Sequence, residues 1–193
     1  NAFGCSSTSS SVAITVSQIT TPSITASGST TLCSGSSLTL SVPTGFASYL
    51  WSDGSITNSI AISASGSYSV TVTNASGCSA TTSATAVTVN ALPTATITSS
   101  GTGSLCLGLS EILSGPAGLA GYQWHVGGGA ISGATSSTYI AVASGSYSLS
   151  VVDVNGCTAS SSMYNITTAP QPVATVTNTG SSVLCSGDST MLQ

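Results

Sequence analysis

Six cysteines lie on one repeating interval. Cys5 to Cys78 and Cys33 to Cys106 are each 73 residues apart, and Cys78 to Cys157 and Cys106 to Cys185 are each 79. The flanking residues repeat with them. Cys33, Cys106 and Cys185 sit in Leu-Cys-Ser-Gly or Leu-Cys-Leu-Gly, and Cys5, Cys78 and Cys157 each follow a glycine. A fixed period marks a repeat architecture, so the chain reads as tandem modules of about 75 residues. Such arrays serve more often as spacers, stalks or adhesive fibres than as catalysts.

Composition narrows the class further. Ser and Thr make up 72 of the 193 residues, charged residues are 2%, and Lys and Arg are absent. An ordinary soluble domain carries about 25% charged residues. A chain with no cationic side chain cannot neutralise phosphates, which excludes nucleic-acid binding, and it lacks the handles that hold proteins to anionic lipid. The four acids, Asp53, Glu111, Asp153 and Asp188, are scattered singly. Disorder requires low hydrophobicity, whereas this chain is 40% hydrophobic and alternates cleanly. No apolar run approaches the roughly 18 residues of a membrane helix, and no membrane insertion is expected. Asn1 falls within a module, so the chain is expected to be a mature form or a fragment.

Strand signals dominate. Segments 67–73, 84–89, 94–98 and 146–152 alternate small polar with apolar or β-branched residues. Asn, Gly and Ser punctuate them, and nothing reads as an amphipathic helix. Four segments follow. Residues 1–20 are expected as the C-terminal part of a preceding module, 22–90 and 91–169 as complete modules, and 171–193 as the N-terminal part of a following one. Within 22–90 the expected strands are A (23–26, running on toward 32), B (38–42), C (49–52), C′ near Ile56, E (59–63), F (67–73) and G (79–89). The second module keeps the plan with six extra residues, placed at 127–137. Seven short strands with turns between them predict an all-β fold of tandem immunoglobulin-like antiparallel sandwiches. Trp51 and Trp124 then anchor strand C, and Tyr68 and Tyr147 fall where a tyrosine corner lies on strand F.

The run from Ser48 to Thr82, with its Trp51, Gly66-Ser-Tyr68 and Gly77-Cys78, closely resembles the Ig-like (PKD-like) repeats of large secreted Bacteroidetes proteins. Cys33, Trp51, Tyr68 and Cys78 match in the first module, and Cys106, Trp124, Tyr147 and Cys157 in the second. The resemblance covers essentially the whole chain and implies adhesins, surface filaments or stalks of secreted enzymes. The absence of Lys and Arg departs from it, suggesting a densely packed or protease-exposed fibre.

Paired cysteines without CxxC spacing point to disulfides and an oxidising, extracellular setting. Two pairings remain open. Closing within each module joins Cys33 to Cys78 and Cys106 to Cys157, each loop of about 50 residues contributing roughly 4 kcal/mol in the chain-entropy view. The alternative follows from topology. The A–B and F–G turns of a sandwich lie at opposite poles, and stacking modules head to tail brings Cys33 to Cys157 across the junction. Either scheme leaves Cys5 and Cys185 without a partner inside their own module. Positions of the immunoglobulin B–F disulfide are taken by Val42 and Val70.

Catalytic chemistry has no foothold in the sequence. There is no GxSxG elbow, His125 has no motif partner, and the carboxylates show no pairing suited to glycoside hydrolysis. Residues 127–129 read as a hairpin turn rather than a phosphate cradle. One histidine is too few for a zinc site alongside these cysteines, and Asp53 and Asp153 are isolated where calcium demands several oxygens. No enzyme activity, cofactor or metal is therefore expected. Asn74-Ala-Ser and Asn165-Ile-Thr fit the N-glycosylation acceptor pattern, and Asp188-Ser189-Thr190 resembles a Bacteroidetes O-glycosylation signal at Ser189. The leading expectation is a structural or adhesive extracellular rod whose partners are further copies or modules of the same chain. The alternative is a glycan- or surface-binding module using Phe46, Tyr139 and Tyr164. Ice binding through Thr94–Thr98 is a third. Residues 1–41 align with 153–193 without a gap, and the chain is expected to be a window on a longer tandem polypeptide.

Overall fold

The computed structural model describes residues 4, 6–170, 172–178, 182–187 and 189. The chain divides into two compact units, Asn1–Leu92 and Pro93–Gln193, and all regular structure among the described residues is strand.

The first unit contains β1 (Thr25–Ala26), β2 (Thr31–Cys33), β3 (Leu38–Ser41), β4 (Ser48–Trp51), β5 (Ser59–Ile62), β6 (Gly66–Tyr68), β7 (Val70–Thr73), β8 (Ser79–Thr81) and β9 (Thr85–Asn90). One sheet has the order β1-β3-β5, which is A-B-E of an immunoglobulin sandwich. The other face is built from β4-β7-β8 and β2-β9-β6. Strand F is split between β6 and β7, and strand G between β8 and β9. Leu38, Leu40, Ile60 and Ile62 from the first sheet meet Trp51, Val70, Val72 and Val87 from the second in a single core. Alternation of these buried residues with more exposed ones along each strand, such as Thr39, Leu50, Ala61 and Thr88, drives the two faces together.

The second unit repeats this order with β10 (Thr98–Ser99), β11 (Ser104–Cys106), β12 (Glu111–Ser114), β13 (Gly121–Val126), β14 (Gly129–Ala130), β15 (Thr138–Ala141), β16 (Gly145–Val152), β17 (Thr158–Ser160) and β18 (Tyr164–Ala169). Its A-B-E sheet is β10-β12-β15, and the opposite sheet is one continuous six-stranded surface, β11-β18-β16-β13-β14 with β17 also on β16. Its core joins Leu105, Leu113, Trp124, Ala141, Tyr147, Leu149, Val151 and Ile166.

Three local features differ from the sequence expectation. Strand A does not run straight on. It pairs antiparallel with B through β1, then crosses to the other sheet, where β2 runs parallel to β9 with Cys33 opposite Asn90. The C′ strand expected near Ile56 is absent from the first unit, where Ile56 is exposed, and present in the second as β14. The inserted residues explain that. Trp51 N–H donates to Ser55 O at 2.8 Å, whereas Trp124 N–H donates to Ala134 O at 3.0 Å. The longer loop extends β13 through His125 and Val126 to pair with Ser148 and Tyr147. That added ladder keeps strand F continuous. In the first unit the equivalent Ser69 is tied instead by Ser52, whose N–H donates to Ser69 O at 2.9 Å. Lastly, residues 6–20 carry no strand. Val12, Ile14 and Val16 are exposed, although Ile14 is the sequence counterpart of the buried Val87. Among residues 6–20 no backbone ladder is formed.

Candidate functional site

The four cysteines of the two complete units lie on two recurring turns, each built the same way in both units. The F–G turn is an Asx turn. Asn74 Oδ1 accepts from Ser76 N–H at 3.0 Å and Cys78 N–H at 2.9 Å. Asp153 Oδ1 accepts from Asn155 N–H at 2.9 Å and Cys157 N–H at 2.8 Å. The chain reverses at Gly77 and Gly156, both with φ of 80°, a left-handed conformation that glycine adopts without strain. The second turn follows β2 (Thr31–Cys33) in the first unit and β11 (Ser104–Cys106) in the second, the strand designated A′. Ser36 N–H donates to Cys33 O and Leu109 N–H to Cys106 O, both at 3.0 Å. It is tied to the end of strand G by Ser34 N–H to Asn90 O at 2.8 Å and Leu107 N–H to Ala169 O at 3.0 Å.

Cysteine chemistry is not symmetric across these four turns. Cys33 and Cys157 are disulfide-bonded. Cys78 and Cys106 are free thiols. The within-module pairs Cys33–Cys78 and Cys106–Cys157 are therefore not formed, a correction to the first of the two schemes. The reason is geometric. Cys78 opens strand G and Cys33 lies beside its last residue, Asn90, so the whole strand separates them. At about 3.3 Å per residue that is on the order of 30 Å, against Cα separations of roughly 4.4–6.8 Å in a disulfide. Cys106 lies opposite Ala169 at the end of β18, so the same holds for Cys106 and Cys157. Cys157 is fully buried, Cys78 half-buried and Cys106 exposed. The Cys78 thiol donates to Ser17 O at 3.5 Å, and Asn74 Nδ2 donates to Ser17 Oγ at 3.4 Å. Cys185 is exposed, and Cys5 lies outside the described residues.

The aromatic residues are structural. Trp51 and Trp124 are buried, and their indole N–H groups donate to Thr57 O at 2.8 Å and Ser136 O at 2.9 Å. Tyr68 and Tyr147 donate their hydroxyls to Ala64 O at 3.1 Å and Ala143 O at 2.9 Å, the hydrogen bond of a tyrosine corner. Burial, with Tyr139 adding to it, pushes the Tyr147 hydroxyl above its usual pKa. A second tyrosine pin escaped the sequence reading. Tyr49 OH donates to Pro43 O at 3.3 Å and accepts from Phe46 N–H at 3.3 Å. Tyr122 does the same with Pro116 O at 2.9 Å and Leu119 N–H at 3.1 Å. Its signal was visible in both copies, a Tyr two residues before the Trp.

The three aromatics named for a glycan surface are half-buried, and each makes contacts within its own unit. Phe46 packs on the first core and meets Tyr49 edge-on. Tyr139 lies between Trp124 and Tyr147, with ring centroids 5.9 and 5.8 Å away. Tyr164 is half-buried, with its hydroxyl donating to Glu111 Oε1 at 2.7 Å.

Glu111 was not singled out in the sequence. It is buried at the start of β12 and accepts from the Ser99 hydroxyl, from Tyr164 OH and from Gly103 N–H at 3.2 Å. The Ser99 hydrogen bond, helped by Tyr164 and the Gly103 and Gly101 amides, outweighs burial and holds its carboxyl below the usual range. The same carboxylate, with burial, pushes the Tyr164 hydroxyl up despite an opposing hydrogen bond with Ser99. Asp53 and Asp153 serve as turn acceptors, Asp53 Oδ1 taking Ser55 N–H at 2.9 Å. Among the described residues no group of three or more His, Cys, Asp or Glu side chains is placed to hold a metal. His125 Nε2 lies 3.2 Å from Ser150 Oγ on the neighbouring strand. Of the glycosylation candidates, Asn74 is occupied in its turn. Asn165 is exposed and accepts from Ser146 Oγ at 2.7 Å, and Ser189 is exposed. Asp188 and Thr190, the flanks of Ser189, lie outside the described residues.

No protein-family model matches the chain, and no curated protein matches it. Among solved structures, murine CEACAM1b is similar over 77% of this chain and 99% of its own, at 11% identity and a TM-score of 0.39. The mouse coronavirus receptor-binding domain complexed with its murine receptor gives 76% and 98% coverage, 11% identity and a TM-score of 0.43. The fibronectin(III)-like modules of Clostridium thermocellum CbhA give 75% and 94%, 13% identity and 0.38. At such values the strand order of each unit, rather than the likeness, defines the fold as an all-β sandwich of immunoglobulin type.

Proposed function

We propose that this chain is a structural, non-catalytic extracellular protein, a stretch of rod or filament made of Ig-like modules and stapled by disulfides from one module to the next. The observation that carries the reading is the cysteine pattern. Of the two A′-turn sulfurs in the complete units, Cys33 is bonded and Cys106 is a thiol; of the two F–G-turn sulfurs, Cys157 is bonded and Cys78 is a thiol. One sulfur of each kind is used and one of each kind remains. We read this as Cys33 joined to Cys157, the pairing that head-to-tail stacking favours.

Further support comes from composition. A surface of Ser and Thr without Lys or Arg offers trypsin no site, and short turns between strands offer other proteases few mobile ones. Disulfides of this kind persist in oxidising compartments, which supports a secreted or surface location. The resemblance to Bacteroidetes PKD-like repeats supports a filament or stalk over a soluble effector. The reading is tested by disulfide mapping with small-angle scattering on the same material. A Cys33–Cys157 peptide and an elongated, stiff particle are expected. A freely jointed particle lacking that peptide overturns the reading.

A further inference from the structure

We propose that the outer face of the A-B-E sheet in the second unit is a contact surface for a second copy of this chain, the two copies meeting face to face through Ile112 and Ile140. This contact is independent of the disulfide reading above and draws on the rod only for avidity.

Strand alternation sends Glu111 and Leu113 of β12, and Tyr139 and Ala141 of β15, toward the core and turns Ile112 and Ile140 out. These two isoleucines are direct cross-strand partners. Ile112 is 46% exposed and Ile140 59%. Val142, directly after β15, and Leu109, two residues before β12, are 66% and 58% exposed at the end of the sheet where Glu111 pairs with Ala141. The equivalents in the first unit are Thr39, Ala61, Ser63 and Ser36, with Thr39 opposite Ala61 in the same register. All four differences run one way, from a small or polar residue to a large aliphatic one. The fold does not demand them, because the first unit builds the same sheet without them. Large aliphatics exposed singly need no explanation. Four together, in a chain rich in Ser and Thr, expose on the order of 400 Å², within the size range of patches that carry function.

Charge and symmetry select the occupant. The isoleucine pair is flanked by Thr98, Ser100, Ser114 and Thr138, all short and uncharged. Among the described acids, Glu111 is buried, Asp153 lies in the F–G turn and Asp53 belongs to the first unit. A charged partner docked here would lose hydration and gain no counter-charge. The same face of another copy brings no charge and incurs no such loss. The pair is also self-complementary. β12 and β15 are antiparallel with isoleucine opposite isoleucine, so a two-fold axis in the plane of contact, running between the strands, sets Ile112 of each copy over Ile140 of the other. Sheets packed face to face stand about 10 Å apart with their side chains interdigitated. A stable complex buries about 800 Å² per partner, so a single patch makes a weak contact. Patches carried at intervals along two rods engage together, and avidity then holds the rods side by side.

The test is sedimentation equilibrium on the whole chain, its thiols first blocked with N-ethylmaleimide so that disulfide exchange cannot mimic association. Wild type is expected to rise with concentration from the mass of one chain toward twice that mass. The triple variant Ile112→Thr, Ile140→Ala, Val142→Ser restores the residues of the first unit and is expected to stay at one chain, with its thermal transitions retained. The converse variant Thr39→Ile, Ala61→Ile, Ser63→Val gives the first unit the same patch and is expected to exceed two chains, reversibly on dilution. Wild type that stays at one chain up to millimolar concentration overturns the proposal with no variant needed, as does a folded triple variant that associates like wild type. Capture of wild type by neutral phosphatidylcholine vesicles or by insoluble cellulose, with no self-association, assigns the face to another occupant and overturns it too. Disulfide mapping of the same samples keeps the two readings apart. Loss of the Cys33–Cys157 peptide strikes the stapled rod and leaves the contact standing, whereas its presence without association strikes the contact alone.

Discussion

Where the first unit buries Leu38 at the start of strand B, the second buries Glu111. The substitution spreads through its neighbours. Ala26, Thr30 and Thr85 of the first unit correspond to Ser99, Gly103 and Tyr164 of the second, the three residues that donate to the carboxylate. A buried charge is tolerated only when its lone pairs are met, so the whole corner changed as a set. The backbone shows the cost of that fit. Gly103 has φ of 77°, and a Cβ there would lie 2.7 Å from Asn165 O; a Cβ at Gly101 would lie 2.8 Å from Glu111 Cδ. A second exchange is apolar. Val42 and Val70 are both buried in the first core, and their counterparts in the second unit are Gly115 and Leu149, where a Cβ on Gly115 would sit 2.3 Å from Leu149 Cδ2. Two valines give way to a glycine and a leucine, so large and small have been redistributed around the same position and the larger side chain fits only because its neighbour has none. One sandwich thus admits either an apolar or a polar solution at the same corner, provided each solution is complete.

The largest expected effect tests what the units share. Trp51→Ala and Trp124→Ala each remove a buried indole and its hydrogen bond, at about 3–5 kcal/mol. In calorimetry each should lower or abolish the transition of its own unit and leave the other in place. Loss of both transitions from one substitution would show that the units do not fold independently.

The valine–glycine exchange gives a sharper comparison. Gly115→Val, which installs the residue of the first unit, should destabilise the second by about 1–3 kcal/mol through overpacking. Adding Leu149→Val should recover most of that, because the pair then matches Val42 and Val70. Chemical denaturation of the two single variants and the double variant closes the cycle. Simple additivity would mean that the two positions do not compensate.

How far the sequence discloses these differences depends on the physics involved. Strand identity was legible because alternation sets the faces, and the Trp and Tyr anchors were legible because they recur at one interval. Both cysteine schemes could be written down, one from two cysteines per repeat and the other from the poles of an expected sandwich. Choosing between them required knowing that A′ runs parallel to G with Cys33 beside Asn90, a long-range register no local pattern encodes. The A-to-A′ crossover is equally non-local. Glu111 looked like one of four solitary acids because its donors, Ser99, Gly103 and Tyr164, are spread over 65 residues. Only the crossing of A, B and G in space brings them together. The packing of Phe46, Tyr139 and Tyr164 was equally hidden, because the residues each one touches are set by the fold and not by its neighbours in sequence.

The polar corner predicts an acid sensitivity confined to the second unit. Glu111 is held below its usual carboxyl pKa when folded. Its contribution is therefore complete above the unfolded value of about 4.3 and lost as pH falls through the folded one. The second unit's transition should drop on acidification over that window, and Glu111→Gln should flatten the dependence while costing about 1–3 kcal/mol at neutral pH from weakened charged hydrogen bonds. A pH profile unchanged by Glu111→Gln would assign the acid sensitivity to other groups.

The smallest effect separates the two tyrosine corners. Both hydroxyls donate to a carbonyl four residues upstream, but Tyr147 is buried and Tyr68 half-exposed. Removing the hydroxyl leaves the same acceptor orphaned in each unit, Ala64 O or Ala143 O. Water can replace the lost partner where the site is open and cannot where it is closed. Tyr147→Phe should therefore cost about 1–1.5 kcal/mol, near the upper end for a neutral hydrogen bond, and Tyr68→Phe about 0.5 kcal/mol. The continuous F strand of the second unit strengthens the contrast, since β13 covers Tyr147 through Val126 and the split strand of the first unit leaves Tyr68 uncovered on that side. Deleting the inserted residues of the β13–β14 hairpin should then bring the Tyr147→Phe cost down toward that of Tyr68→Phe. Equal costs before the deletion, read from urea midpoints of each unit's transition, would show that the hydroxyls rather than their cover set the strength of the corner.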